Sequence, residues 1–325
     1  MNSAHTLSLA PAHAVLLRCA ASDIDIGGPW LFWSAPPSPS LRRSLERQGQ
    51  LVPVLVDASG ARPVLVAGSA RVSALAELGG EVLCLDLGAT DGLARGIAYA
   101  QSNAGREISD GQVVLAMRYF QTLPDADPDS VLNALGLEPR SKRLRLVRSW
   151  LSLPAYWDAF LCAGGVPLAC ADLLEAFAPA DRESLEVLFA TLSWSRGNAV
   201  NVLTWIREVC LRDGVCAADV LDKAGVKDIL AGGLSPKDAM SRITQEVRLL
   251  RYPALSGMER DFQEAARKVS AGTRWRVTQP DFFESDAVEL SVRVTSPEEL
   301  RAAGAELVRI AAREDLAALF VAGCK

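Results

Sequence analysis

Histidine is almost absent from this chain. Of 325 residues only His5 and His13 are histidine. A Ser-His-Asp or Cys-His relay therefore has no imidazole to recruit outside the N-terminal segment. The same scarcity argues against zinc. The seven cysteines (Cys19, Cys84, Cys162, Cys170, Cys210, Cys216 and Cys324) include no pair at CxxC spacing, and a tetrahedral zinc site needs four Cys or His ligands. Most of these thiols are expected to be small buried apolar residues in a reducing compartment. No apolar run approaches the roughly 18–20 residues that cross a bilayer. The segment 1–21 lacks a charged start and carries Arg18 late, so it reads as a strand or a loose arm rather than a signal peptide. These absences lead to the expectation of a cytoplasmic protein without a membrane segment.

An excess of positive charge is also missing. The chain has 34 Lys+Arg against 39 Asp+Glu, a net charge of −5. That excludes a uniformly basic coat for nucleic acid, but not a local basic face, because only the surface near the phosphates must be positive. Lysine itself is rare, 6 against 28 arginines, a bias that base composition explains as well as function. Half of the residues are hydrophobic and 22% are charged, which is ordinary globular composition, and the length suits two or three domains.

Along the chain, residues 28–40 form an irregular lead-in rich in Pro, Trp and Ser. A compact α/β pattern follows: a helix over 41–48, strands over 52–56 and 63–67 joined by a turn at Gly60, a helix over 70–78 stopped by Gly79-Gly80, a strand over 81–87 and a helix over 92–100. From Ser109, a natural N-cap, the pattern turns helical. Helices are predicted over 110–122, 129–135, 139–151, 155–163, 167–177, 182–192 and 198–211. Residues 213–234 read as a Gly-containing transition. Helices over 236–250 and 259–269, strands over 274–278 and 288–294, and a helix capped by Ser296 with Pro297 at its first position complete the chain.

Three places carry chemistry. Gly68-Ser69-Ala70-Arg71 sits between a buried strand and a helix, where free backbone N–H groups and an arginine can meet an anion. Ser102-Asn103-Ala104-Gly105-Arg106 supplies a second amide and arginine able to face the same anion. The third is a helix, a tight connection and a basic helix over 130–151, with the proportions of a helix-turn-helix. It carries Arg140, Lys142, Arg143, Arg145 and Arg148 with no acid among 140–148. Each also has a plain reading: a tight turn with a surface arginine, a solvated linker, and a solvated basic helix face.

The order and spacing of these three places resemble the ParB/Spo0J family of DNA-segregation proteins, over about residues 41–192. Gly49, Pro53, Val56, Gly68, Arg71, Ala74 and Gly79 match its N-terminal domain, Asn103 and Arg106 match its E-N-x-x-R box, and the stretch around "LGLEPRSKRLRLVRSWLSLP" matches its helix-turn-helix. The resemblance implies a small ParB-like α/β domain over 1–106 and an all-α helix-turn-helix domain over 107–234; the pattern over 235–325, which does not resemble the family's usual dimerisation tail, adds a small α/β C-terminal domain, and the whole is an α+β multidomain chain. The resemblance implies CTP with Mg²⁺ at Gly68, Ser69, Arg71, Asn103 and Arg106, and duplex DNA at Arg140, Lys142, Arg143, Arg145 and Arg148. It also implies a bacterial, nucleoid-associated homodimer with a ParA-like ATPase as partner. The chain departs from the family at Ser69, Ala70 and Ser102, where charged or metal-ligating residues are usual. A hard Mg²⁺ ion prefers carboxylate oxygens, so the expectation is a weakened or lost CTP site, no catalytic residues and no metal ligands of the chain's own.

Two alternatives belong to other classes. One is a phosphate- or nucleotide-using enzyme of the ParB-like nuclease/sulfiredoxin fold, with Arg71 and Arg106 as phosphate holders. The other is a protein-interaction adaptor, for which Trp30, Trp33 and Trp275 are candidate exposed aromatics.

Overall fold

The computed structural model describes residues 15–280, 283, 285 and 287–321. His5, His13 and Cys324 lie outside the described residues. The chain divides into two compact units, residues 1–203 and 204–325, whereas the sequence pattern suggested divisions near 106 and 234.

The first unit opens with strand β1 (Val15–Ala20), then helix α1 (Pro39–Gln48), strands β2 (Val54–Asp57) and β3 (Val64–Ala67), helix α2 (Ser69–Glu77), strand β4 (Glu81–Asp86) and helix α3 (Gly92–Ser102). The four strands form one sheet in the order β1-β4-β2-β3. β2 and β3 pair antiparallel as a hairpin, and β4 returns parallel to β2 in the register Val54–Cys84. β1 pairs antiparallel to β4, Cys19 opposite Val82. The hydrophobic content of these short strands explains the arrangement. Val54, Val56, Leu65, Val66, Val82 and Cys84 are all wholly buried, and α2 covers them with Val72, Ala74 and Leu75.

Helices α4 (Asp110–Gln121), α5 (Pro128–Ala134) and α6 (Lys142–Leu151) follow. Their starts are set by side chains that accept otherwise orphaned backbone N–H groups. Ser109 and Gln112 form a reciprocal capping box on α4, Asp127 caps α5 and Ser141 caps α6. Gly136, in the left-handed region at φ 63°, ends α5 and lets Leu137 N–H return to the Leu132 carbonyl at 2.9 Å. The basic helix thus begins at Lys142, not at 139 as the pattern suggested. Pro139 and Arg140 lie in the turn before it, because the Ser141 cap competes successfully for the first free N–H groups.

Short helices α7 (Trp157–Cys162), α8 (Ala171–Glu175) and α9 (Pro179–Leu185) lead to the long α10 (Arg196–Asp213), within which the two units meet in sequence. Arg118 of α4 closes this helical block. It donates to both carboxylate oxygens of Asp158, at 2.7 and 3.1 Å, and to the Leu151 and Leu153 carbonyls at the end of α6, at 3.1 and 2.8 Å.

In the second unit, residues 213–234 contain two short helices, α11 (Ala217–Lys223) and α12 (Val226–Ala231), where the sequence suggested only a transition. Helix α13 (Pro236–Arg251) is capped by Ser235, and helix α14 (Pro253–Ser270) begins at a proline that cannot continue the preceding helix. Strands β5 (Arg276–Thr278) and β6 (Glu289–Ser291) form a two-stranded antiparallel sheet. Helix α15 (Pro297–Ala311), capped by Ser296, packs Ile310 against Phe262 and Val269 of α14.

Two expectations about burial need correction. Trp30 and Trp33 are each only 8% exposed, because their indole N–H groups reach the Leu65 and Gln112 carbonyls at 2.9 and 2.8 Å. Trp275 is half-buried and donates to the Ala303 carbonyl. None of the three is an exposed aromatic. Among the six described cysteines only Cys84 and Cys170 are buried, while Cys162 and Cys216 are exposed. Burial pushes the Cys84 and Cys170 thiols up to about 12, which makes both unreactive.

Candidate anion cavity and basic helix face

The first predicted site is assembled as one cavity. Gly68, Ser69, Arg71, Asn103 and Arg106 all line a cavity of about 260 Å³, floored by Trp33 and Tyr99. Residues 32 to 38 places apart in sequence meet there, because the start of α2 follows β3 and the second group follows the end of α3.

The start of α2 has a structural reason to be glycine. Gly68 adopts φ +108°, a conformation that suits glycine. A Cβ there would also lie 2.7 Å from a methyl of Val54. Gly68 carries no side-chain cap; the Arg71 N–H bonds the Gly68 carbonyl at 2.9 Å, and Ser69 and Ala70 at the start of α2 line the cavity. Arg71 has a structural task as well: its Nη1 donates to the Val52 and Pro53 carbonyls at 2.8 and 2.7 Å, fixing the chain that enters β2. Burial, and then the nearby positive charge of Arg106, lower the affinity of the Arg71 guanidinium for its proton. Two arginines line the cavity with no carboxylate among its described lining residues, which favours an anion there.

The amide of Asn103 is turned inward. Its Nδ2 donates to the Tyr99 carbonyl at 2.8 Å and to Ser102 Oγ at 3.2 Å, and the residue is 9% exposed. None of the described residues lining the cavity is Asp or Glu. The donor set therefore suits an anion, not a protein-ligated hard cation. Among the described residues there is no cluster of three or more His, Cys, Asp or Glu able to hold a metal.

A buried carboxylate organises the other end of the β2–β3 hairpin, where Asp57 stands opposite Val64. Asp57 accepts from Ser59 Oγ at 2.6 Å, Thr90 Oγ1 at 2.7 Å and Arg95 at 2.9 Å. Burial alone would raise its affinity for a proton, but these hydrogen bonds outweigh it and hold the carboxyl well below its ordinary range. Arg95 also stacks on the Trp30 ring at 4.7 Å. The lead-in segment is thereby fastened to β2 and α3.

The second predicted site divides over two sides of α6. At 100° per residue, Lys142, Ser149, Arg145 and Arg148 fall within an arc of about 120°, opposite the buried Leu144, Val147 and Trp150. Lys142, Arg145 and Arg148 are exposed, as is Arg140 in the preceding turn. Arg143 falls on the other side, between Trp150 and Val147. It donates Nε to Asp110 at 2.9 Å and Nη2 to the Ile108 carbonyl at 2.9 Å, tying α6 to the start of α4. Arg145 pairs with Asp172 of α8 at 2.5 Å.

The charge on α6 opposes its own dipole. A helix start favours acids, yet the first turn of α6 has none and begins Lys142-Arg143. The arrangement costs the helix a few tenths of a kcal/mol per charge, a cost that a bound anion would reverse.

Arg118 and Asp158 were not singled out from the sequence. They touch neither candidate surface, but they hold the end of α6 in place through the two carbonyls and through Trp150 Nε1, which donates to Asp158 at 2.9 Å. Nothing in the local pattern near Arg118 marks it, since its partners lie 33 to 40 residues away.

Among the described residues no helix is long and apolar enough to cross a membrane. No family model matches the sequence, and no curated protein matches it. Several solved structures are similar at low identity, three of which follow. The C-terminally truncated chromosome-partitioning protein ParB from Caulobacter crescentus, complexed to the centromeric parS site, is 15% identical over 70% of this chain and 99% of its own, with a TM-score of 0.35. The Pnob8-like ParB-N domain is 14% identical over 55% of this chain and 94% of its own, with a TM-score of 0.36. The Caulobacter crescentus ParB complexed with CTP-γ-S is 17% identical over 54% of this chain and 98% of its own, with a TM-score of 0.24.

Proposed function

We propose that this chain is a ParB-like DNA-binding protein of the chromosome- or plasmid-segregation or transcription-regulator type, acting without catalysis. The observation that carries the reading is the exposed face of α6. Lys142, Arg145 and Arg148, with Arg140 in the turn before them, form a basic stripe on a helix capped and braced at both ends. A helix presented in this way suits the major groove, with its N-terminal end toward bases and its flanks toward phosphates. Arg143 acts as a brace in this reading, since both of its hydrogen bonds go inward.

The reading extends to a nucleoid-associated homodimer working with a ParA-like ATPase in the cytoplasm, as the sequence resemblance implies. Photocrosslinking to bromodeoxyuridine-substituted duplex DNA tests it. Crosslinks are expected in the peptide spanning 140–151. Crosslinks confined to the second unit, or none at all, would overturn it.

The cavity supports a nucleotide or free phosphate as a further ligand, held by Arg106, Arg71 and the N-terminal N–H groups of α2. If CTP with Mg²⁺ binds, its phosphates belong there. The lining supplies no carboxylate for the ion, so hydrolysis is not part of the proposal. Pyrophosphate is expected to raise the melting temperature of the wild-type protein but not of Arg106→Ala. A CTP or ATP turnover assay separates this reading from the enzymatic one. The adaptor reading loses its aromatic anchors, because Trp30 and Trp33 are buried.

A further inference from the structure

The exposed face of α6 is not purely basic. A groove of about 330 Å³ runs beside it, lined by Lys142 and Arg145 of α6, Asp172 of α8, and Arg196 and Asn201 of α10. Three cations surround one acid. Asp172 Oδ2 takes a hydrogen bond from Arg145 Nη1 at 2.5 Å, and the charge of Lys142 and the hydroxyl of Ser149 also bear on its carboxylate. Lys142, Arg145 and Ser149 are the i, i+3 and i+7 positions of one helix face. Asp172 therefore stands against the middle of the stripe that the DNA reading uses. The pair is open to water, with side chains 59% and 41% exposed, so it adds little to stability. Its position matters more than its strength.

We infer that this groove receives a backbone phosphate of duplex DNA, and that Asp172 is a built-in competitor that keeps Arg145 off that phosphate and so lowers affinity for DNA of any sequence. The inference rests on the DNA-binding reading. Arg196, at the first turn of α10, becomes a second phosphate contact beyond α6. A carboxylate among phosphate-binding cations must either be displaced or repel the incoming charge, and in both cases it reduces the number of counterions that binding releases.

The experiment is fluorescence anisotropy of a labelled duplex of about 24 base pairs with the full chain, titrated between roughly 50 and 300 mM salt. Wild type, Asp172→Asn and Arg196→Gln are compared. Asparagine keeps the shape of Asp172 and removes its charge. The slope of log K against log salt is expected to steepen by about 0.9, with binding up to roughly eightfold tighter at 0.1 M salt, the value for one added phosphate contact. Arg196→Gln is expected to make the slope shallower by a similar amount and reports on the groove without disturbing the Arg145–Asp172 pair. If Asp172→Asn binds no better than wild type, or binds more weakly because the acid positions Arg145, the inference falls while the DNA reading stands. If neither wild type nor Asp172→Asn binds duplex at the lowest salt, the DNA reading falls and takes the inference with it.

Discussion

Replacing Asp158 with Ala should be among the most damaging single substitutions in the first unit. Its side chain is only 9% exposed, and that of Arg118 only 23%. The carboxylate receives two hydrogen bonds from Arg118 and one from Trp150 Nε1. Removing it leaves a largely buried guanidinium without its counter-charge, which typically costs about 3–5 kcal/mol. Arg118 still has the Leu151 and Leu153 carbonyls, so the lower end of that range applies. The indole N–H of the wholly buried Trp150 also loses its acceptor, roughly another 1 kcal/mol. A total near 3–4 kcal/mol follows. For a unit of about 200 residues, at roughly 2–4 °C per kcal/mol, melting should fall by about 6–16 °C. Asp158→Asn keeps an acceptor for Trp150 and loses only the charge, so it should fall by less. Thermal unfolding followed by circular dichroism reads both. A melting temperature for Asp158→Ala within about 1 °C of wild type would refute the claim that this pair holds α6 in place.

Other outcomes follow from the same structure. Asp57 has a lowered affinity for protons in the folded state, so its stabilising effect is full above the unfolded value near pH 3.9 and is lost as pH falls below it. Urea midpoints should therefore drop more steeply between pH 7 and pH 3 for wild type than for Asp57→Asn; parallel pH dependence would count against the network. Gly68→Ala meets both an unfavourable positive φ and the Val54 methyl, and should cost about 1–3 kcal/mol. The double variant with Val54→Ala should not recover all of that loss, because the φ strain remains. Arg143→Ala should lower stability more than Arg148→Ala, since only Arg143 bonds to Ile108 and Asp110. Equal melting temperatures would return Arg143 to the list of free cations.

The α/β pattern was readable because β2, β3 and β4 are short, apolar and bounded by turn residues such as Gly60, Gly68 and Gly79-Gly80. The caps at Ser109 and Ser296 were readable because they act within three residues. The clustering of Gly68, Ser69, Arg71, Asn103 and Arg106 was legible only as a spacing in the sequence; the structure places the five around one cavity. What was not legible is long-range. Arg71 looked free but is half-spent on the Val52 and Pro53 carbonyls. The paired state of Arg145 depends on Asp172, 27 residues away. Arg143 is different, because the helical wheel already places it beside Val147 and Trp150, and its inward direction follows from spacing once the buried face is identified. Residues 213–234 hide two helices because their glycines lie at ends such as Gly214 and Gly225, both at positive φ, and not in helix interiors.

The central claim is that the stripe on α6 engages the phosphates and bases of duplex DNA. Its most direct test compares the salt dependence of duplex binding by the full chain with that of a Lys142→Ala, Arg145→Ala, Arg148→Ala variant of unchanged melting temperature. The account predicts that wild type binds with a slope of log K against log salt of about −2 to −4, and that the triple variant loses most of that slope and at least about tenfold in affinity at 0.1 M salt. A triple variant that binds with wild-type slope and affinity would contradict it.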